Sequence, residues 1–276
     1  MGQTLNTNLL SINAQRNTSA TQAALAVTTQ RLSSGLRVNG AKDDAAGLAI
    51  SERMLARVTG MGVAVRNAND GISMAQTAES ATAKIGDALQ RMRELAVQSA
   101  NGSNNEGDRS KLQTEFTALQ AEVNRLVSGT RFNDQSLLDG AGGNGGVFTL
   151  QVGAATDATD TIDVTMTDMS TTASDVESLS IAGGDAANAT AAIVALDDVT
   201  TARANFGAVQ NRIESVIGNL QISAENLSAA RSRIVDADYA VETASLSRTR
   251  ILQQAGTAMI AQANQAPSQV LQLLAA

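Results

Sequence analysis

The chain has 276 residues, a formal charge of −7 and 43% hydrophobic residues, yet only 2% aromatics, one Pro (Pro267) and no His, Cys or Trp. Its apolar content is therefore small and aliphatic, which suits narrow helix–helix seams better than a thick core with aromatic anchors. The missing residue types exclude disulfides, iron–sulfur clusters, zinc fingers, thiol nucleophiles, Ser–His–Asp triads and imidazole bases, so no catalytic, cofactor-binding or metal-binding residue is assigned.

Residues 1–15 carry no charge. Leu5, Leu9, Ile12 and later Ala23 and Val27 recur at helical spacing, predicting a helix whose apolar stripe is too thin to hold it folded alone. No basic segment precedes an unbroken apolar run here, so the pattern of an ordinary secretory signal is not met. Residues 33–47, rich in Ser, Gly and Asn-Gly, read as an irregular connector, with a helix starting near Asp43 or Asp44 by N-capping. From there to about residue 100 the pattern is helical and free of Pro. Leu48, Leu55, Val58, Val65 and Ile72 lie on one register, and Ile85, Leu89, Met92 and Ala96 on a shifted one. A helix of that length spans about 80 Å and implies a coiled coil or bundle. Residues 101–105 (NGSNN) form a turn, and Leu112, Phe116, Leu119, Val123 and Leu126 mark a second helix antiparallel to the first.

Past residue 131 the character changes. A glycine-rich stretch at 140–146 leads into 147–152 and 161–166, which alternate apolar and polar residues and predict a β-hairpin. Residues 167–190, acidic and poor in large apolar side chains, read as a surface lobe or loop. Between Phe132 and Ala202 there are eleven Asp or Glu and no Lys or Arg; the rest holds 20 basic and 16 acidic residues, with no basic stripe. That distribution argues against nucleic-acid binding. A helical pattern returns near Ala187, and Phe206, Val209, Ile213, Val216, Leu220, Leu227, Ala230 and Ile234 keep a heptad register. Residues 234–239 mark a break. The last helix carries Leu252, Ala255, Met259, Ala266 and Leu273 on a 3-4 pattern, and residues 251–276 are again uncharged. No run of about 18 apolar residues exists, so no membrane association is expected. The expected fold is mainly α, a long antiparallel helical bundle and coiled coil formed by both chain ends, with a small β-hairpin region in the middle.

Residues 30–51, QRLSSGLRVNGAKDDAAGLAIS, closely resemble the N-terminal segment of bacterial flagellins. Further stretches match in order: 65–73 (VRNANDGIS), 89–102 (LQRMRELAVQSANG), Phe132-Asn133, 232–239 (SRIVDADY) and 265–273 (QAPSQVLQL). The resemblance covers about residues 1–152 and 195–276 and points to a short flagellin with a minimal central variable region. It implies a subunit of the extracellular flagellar filament, an open helical homopolymer for swimming, exported unfolded through the flagellar type III route. The implied layout is an axial coiled-coil domain from 1–42 and 236–276. A helical bundle with its hairpin comes from 43–166 and 191–235, and a vestigial outer segment from 167–190. Implied partners are other copies of the chain, the export apparatus, a secretion chaperone, and cap and hook-associated proteins.

The seam residues Leu5, Leu9, Ile12, Val27, Leu252, Ala255, Met259, Ala266 and Leu273 are then assigned to coiled-coil and subunit packing. Arg91, Leu95 and Glu115 match the positions by which similar flagellins engage Toll-like receptor 5, with Arg91 and Leu95 one turn apart on a helix. Asp43, Asp44 and Gly47 match the stretch read by plant flagellin receptors, although Val38 and Gly40 stand where Ile and Ser are common. The same two Asp also read as a helix N-cap pair. The alternative function is a hook–filament junction protein of the flagellin-like group, which would not make long polymers alone.

Overall fold

The computed structural model describes residues 7–155, 157–185 and 187–274, with side chains up to Gln265 except that of Ala158. Six α-helices and two antiparallel strand pairs form among the described residues. The chain divides into two compact units, Met1–Ala56 with Asn226–Ala276, and Arg57–Glu225.

In the first unit, α1 (Leu9–Ser34) begins where the Asn8 side chain accepts from the Ser11 amide and ends at Gly35, whose left-handed φ of 71° lets its amide reach the Arg31 carbonyl. It runs antiparallel to α6 (Tyr239–Leu274), to which it is bonded at both ends: the Asn8 side chain donates to the Ala263 carbonyl, and Arg31 pairs with Glu242. The connectors that follow α1 and precede α6 also pair. The Arg37 amide donates to the Val235 carbonyl and the Ala237 amide to the Gly35 carbonyl. Helix α2 (Ala45–Ser99), 55 residues long, starts at the expected place; Asp44 caps it by accepting from the Gly47 amide at 2.8 Å.

The second unit holds one hydrophobic core. Helix α2 contributes Ile85, Leu89, Met92, Leu95 and Ala96 to it, and α3 (Glu106–Gly129) adds Phe116, Val123 and Val127. Asn105 caps α3 by accepting from the Asp108 amide at 2.9 Å, and Glu106 and Asp108 in its first turn complement the helix dipole. Helix α5 (Ala187–Val235) supplies Ala195, Val199, Ala202, Phe206 and Ile213, continuing the expected heptad toward its N-terminus in small residues. The register read for the first half of α2 is displaced. Ala64, Ala68, Gly71, Ala75 and Ala78 are buried there, while Leu55 and Val63 are exposed. Small residues let the neighbouring chain come close: a Cβ on Gly71 would collide with the Leu150 side chain of the hairpin.

The predicted hairpin forms from β3 (Val147–Gln151) and β4 (Thr161–Thr165), with Ile162 and Val164 buried and Thr149 donating across the strands to Asp163 at 2.7 Å. A smaller pair, β1 (Arg131–Phe132) and β2 (Gln135–Ser136), turns through Asn133 and Asp134 at φ 49° and 62°, the geometry of a two-residue hairpin loop.

Residues 167–190 are not a surface lobe. They contain α4 (Ser170–Glu177), and Met169, Ala173, Val176 and Ile181 are buried in the core. Averaged composition hid a single apolar stripe that one short helix suffices to bury. Gln120 of α3 terminates α4: its Nε2 donates to the carbonyls of Val176 (2.7 Å), Leu179 (2.9 Å) and Glu177 (3.2 Å). Exchanging Gln120 for Ala strips the side-chain donor from these three carbonyls and leaves that of Val176 with its backbone partner Leu179. It should lower the stability of the α4 region by about 1–3 kcal/mol, read as lost amide protection in the 176–181 segment.

Candidate assembly surface

The α1–α6 pair has an unusual division of labour. Its contact seam on α1 runs through Ser11, Ala14, Thr18, Thr21, Leu25, Thr28 and Leu32, at alternating spacings of three and four. Ser11, Thr18 and Thr28 are buried and the others half-buried. On α6 the corresponding run is Glu242, Leu246, Thr249, Gln253, Gly256, Ile260 and Ala263. These are heptad seams, but built mostly of small or polar side chains. Thr18 returns its hydroxyl to the Ala14 carbonyl (2.9 Å), and Ser11 donates across the seam to Asn264 Oδ1 (2.7 Å). Both hydroxyls are thereby satisfied.

Leu25, Leu32, Leu246 and Ile260 are half-buried in the seam, but several other large aliphatic residues lie outside it. Leu9 and Leu10 are each 69% exposed, and Leu252 and Met259 are 50% and 61% exposed; Ile12, Val27, Ile251 and Ala255 are exposed as well. The expected seam was therefore one position out within the chain. Leu9, Ile12, Val27, Leu252, Ala255 and Met259 face outward because the seam runs through the neighbouring positions, most of them small or polar. Leu5 lies outside the described residues, as do the side chains of Ala266 and Leu273. The outward side forms a shallow groove of about 360 Å³ lined by Leu10, Asn13 and Asn17 from one helix and Leu252, Ala255 and Met259 from the other. Apolar area left in water forgoes about 25 cal/mol per Å², and a contiguous exposed apolar stripe marks an interaction surface. The true seam could have been found from the 3-4 recurrence of Ser, Ala and Thr, had recurrence counted for more than hydrophobicity.

The residues matched to immune recognition separate. Arg91 and Glu115 are exposed and paired: Arg91 Nε donates to Glu115 Oε1 at 2.8 Å, and its Nη1 to Glu94 Oε2 at 2.9 Å. These carboxylates raise the Arg91 pKa above its ordinary value, the hydrogen bond to Glu115 first and that to Glu94 next. Leu95 does not share their face. It is fully buried in the core of the second unit, since one turn along the helix advances about 40° around it, here from rim to interior. Asp43 accepts from the Asn39 amide at 3.1 Å, and Gly47 is buried with no room for a Cβ beside the Asp44 carboxylate. Both Asp thus act as local caps. Replacing Asp44 with Ala should destabilise the start of α2 by about 1 kcal/mol, visible as faster amide exchange at Gly47 and Leu48 with the rest of α2 unchanged.

Among the described residues, no three acidic side chains gather as metal ligands, and no helix is long and apolar enough to cross a membrane. A helix pair that hides small polar side chains and displays large apolar ones is the build of a structural protein that completes its packing with other chains. The family description of the bacterial flagellin N-terminal helical region matches residues 5–142, and that of the C-terminal helical region matches residues 187–274. A flagellin of Halalkalibacterium halodurans is 47% identical over 98% of this chain and 99% of its own, and a Bacillus subtilis flagellin is 40% identical with the same coverage. The flagellar filament 33 kDa core protein of Treponema phagedenis is 41% identical, again over 98% and 99%. The chain belongs to the bacterial flagellin family. As such it is a structural protein and not an enzyme, a subunit of the extracellular flagellar filament.

Proposed function

We propose that the outward stripe of the α1–α6 pair is the surface by which copies of this chain polymerise, and that the polymer serves swimming motility. The observation that carries this reading is the exposure of Leu9, Leu10, Ile12, Leu252 and Met259 on helices whose outer segments, 1–15 and 251–276, hold no charge. Stacked copies would then meet through apolar and amide side chains, with no ring of like charges to repel. In this layout residues 1–42 and 236–276 make the axial domain, and 43–166 and 191–235 the bundle, whose core also takes in the apolar stripe of 167–190. Thin end helices that fold only against partners suit export in unfolded form through the flagellar type III route, with the export apparatus, a secretion chaperone, and cap and hook-associated proteins as further partners.

For immune recognition, the exposed Arg91–Glu115 pair is the part accessible to Toll-like receptor 5, with Leu95 acting through the packing beneath it. Asp43, Asp44 and Gly47 serve plant receptors through the shape of the capped connector.

Mild peroxide footprinting tests the polymerisation surface. Met259 is exposed in the subunit, whereas Met74, Met92, Met166 and Met169 are buried. Conversion of Met259 to its sulfoxide, read by mass spectrometry, should be fast in monomer and slow in polymer. Equal rates in the two states would remove the stripe from the interface, and short assemblies formed only with other flagellar proteins would favour the hook–filament junction role.

A further inference from the structure

A seam in which small and polar side chains are interspersed with Leu25, Leu32, Leu246 and Ile260 specifies its own register only in part, because sliding α1 by a heptad interchanges Ser11 with Thr18, Thr21 with Thr28 and Leu25 with Leu32. Two contacts break that degeneracy in the α1–α6 pair. The first is steric: a Cβ at position 256 would sit 2.6 Å from Thr18 Oγ1, so the close approach there requires Gly256. The second is electrostatic. Arg31 Nη1 lies 3.2 Å from Glu242 Oε1, and the Glu242 side chain is only 11% exposed. Glu242 is a charged side chain buried in a seam that is otherwise uncharged on α6, and its partner reaches it from the opposite helix.

We propose that the Arg31–Glu242 ion pair is the register lock of the axial helix pair, and that this register composes the polymerising stripe. This rests on the reading of the stripe as a self-assembly surface. The outward groove is shared, with Leu10, Asn13 and Asn17 from α1 beside Leu252, Ala255 and Met259 from α6. A slip of one heptad shifts the halves by about 10 Å and splits the stripe. It also places Ala24 in the position of Arg31 and leaves a buried carboxylate without its cation. A buried ion pair adds little net stability over an apolar pair, but the wrong pairing is strongly disfavoured, and that asymmetry is what a register determinant needs. The pair thus acts as a positioning element and need not touch a neighbouring copy.

The absence of Cys from the chain allows the register to be read directly. Ser11 Oγ and Asn264 Oδ1 are 2.7 Å apart, so the full-length chain carrying Ser11→Cys and Asn264→Cys reports the native register by disulfide formation. Ser11→Cys with Thr257→Cys reports the one-heptad slip. Both are measured in monomer and in seeded polymer. Adding Glu242→Gln or Arg31→Gln should lower the 11–264 disulfide about fivefold and raise the 11–257 disulfide. The exchange Arg31→Glu with Glu242→Arg should restore the native disulfide and polymer growth together. A native disulfide yield unchanged by either Gln variant overturns the proposal, as does an exchange variant that stays out of register. A parent chain that crosslinks in register yet never polymerises overturns the self-assembly reading while leaving the lock intact.

Discussion

Substituting Leu252 by Lys should abolish seeded polymerisation while leaving the second unit folded. Leu252 is half-exposed on the outward stripe beside Leu10 and Met259, within a segment of 26 residues without a formal side-chain charge. In the isolated subunit the change is nearly silent, since a surface Lys replaces a surface Leu and such exchanges shift stability by about 0.5 kcal/mol or less. In the polymer each copy would bury an ammonium with no carboxylate near it, and an unpaired buried charge is penalised by several kcal/mol. Repeated along an open polymer, that penalty raises the critical concentration by more than about a hundredfold. Light scattering after seeding checks growth, and far-ultraviolet circular dichroism checks that helix content is kept. Leu252→Met, apolar and of similar volume, should polymerise almost as the parent does, which separates charge from shape.

The exchange of Phe206 for Ala should produce the largest loss of intramolecular stability. The chain has only four Phe, and Phe116 on α3 and Phe206 on α5 are both fully buried in the core of the second unit. That core is otherwise made of aliphatic side chains and Ala, so a missing ring leaves a void that small neighbours cannot fill. Large-to-small exchanges of this kind cost about 3–5 kcal/mol. Denaturant unfolding followed by helix signal should show the unfolding free energy falling by that amount, with a lower midpoint at unchanged slope. Phe206→Leu, which keeps most of the volume, should lose much less. A loss below about 1 kcal/mol in the Ala variant would mean that the core relaxes around the site.

The parts of the fold that the sequence disclosed are those where one strong local signal acts alone. The hairpin follows from the alternation in 147–152 and 161–166, and α3 from a regular run of large apolar residues behind the 101–105 turn. The start of α2 follows from Asp44. The seams were harder to read because hydrophobicity and burial part company in this chain. In α1 the large side chains Leu9, Leu10 and Ile12 stand outside, while Ser11, Thr18 and Thr28 are inside. Hydrophobic periodicity finds a face suited to burial, and under the proposed assembly that face is covered by other copies, whereas the intrachain seam is mostly small and polar. The same substitution of small for large displaced the register read in the first half of α2, where Ala64, Ala68, Ala75 and Ala78 form the buried row.

The Arg31–Glu242 pair lies 211 residues apart in the chain, and no local pattern joins the two. The burial of Leu95 was hidden for a related reason: one turn of helix from Arg91 crosses the boundary between rim and core. The α4 segment was missed because acidic composition outweighed a stripe of four apolar residues, and the Gln120 carbonyl contacts that hold it come from a helix more than 50 residues away.

The most direct test of the central claim is electron microscopy of the purified full-length chain before and after adding short filament seeds. A helix pair with uncharged outer segments that displays apolar residues outward predicts long filaments of uniform width from this chain alone. Subunits that stay monomeric, or stop at short caps, at concentrations where the related flagellins polymerise would contradict it.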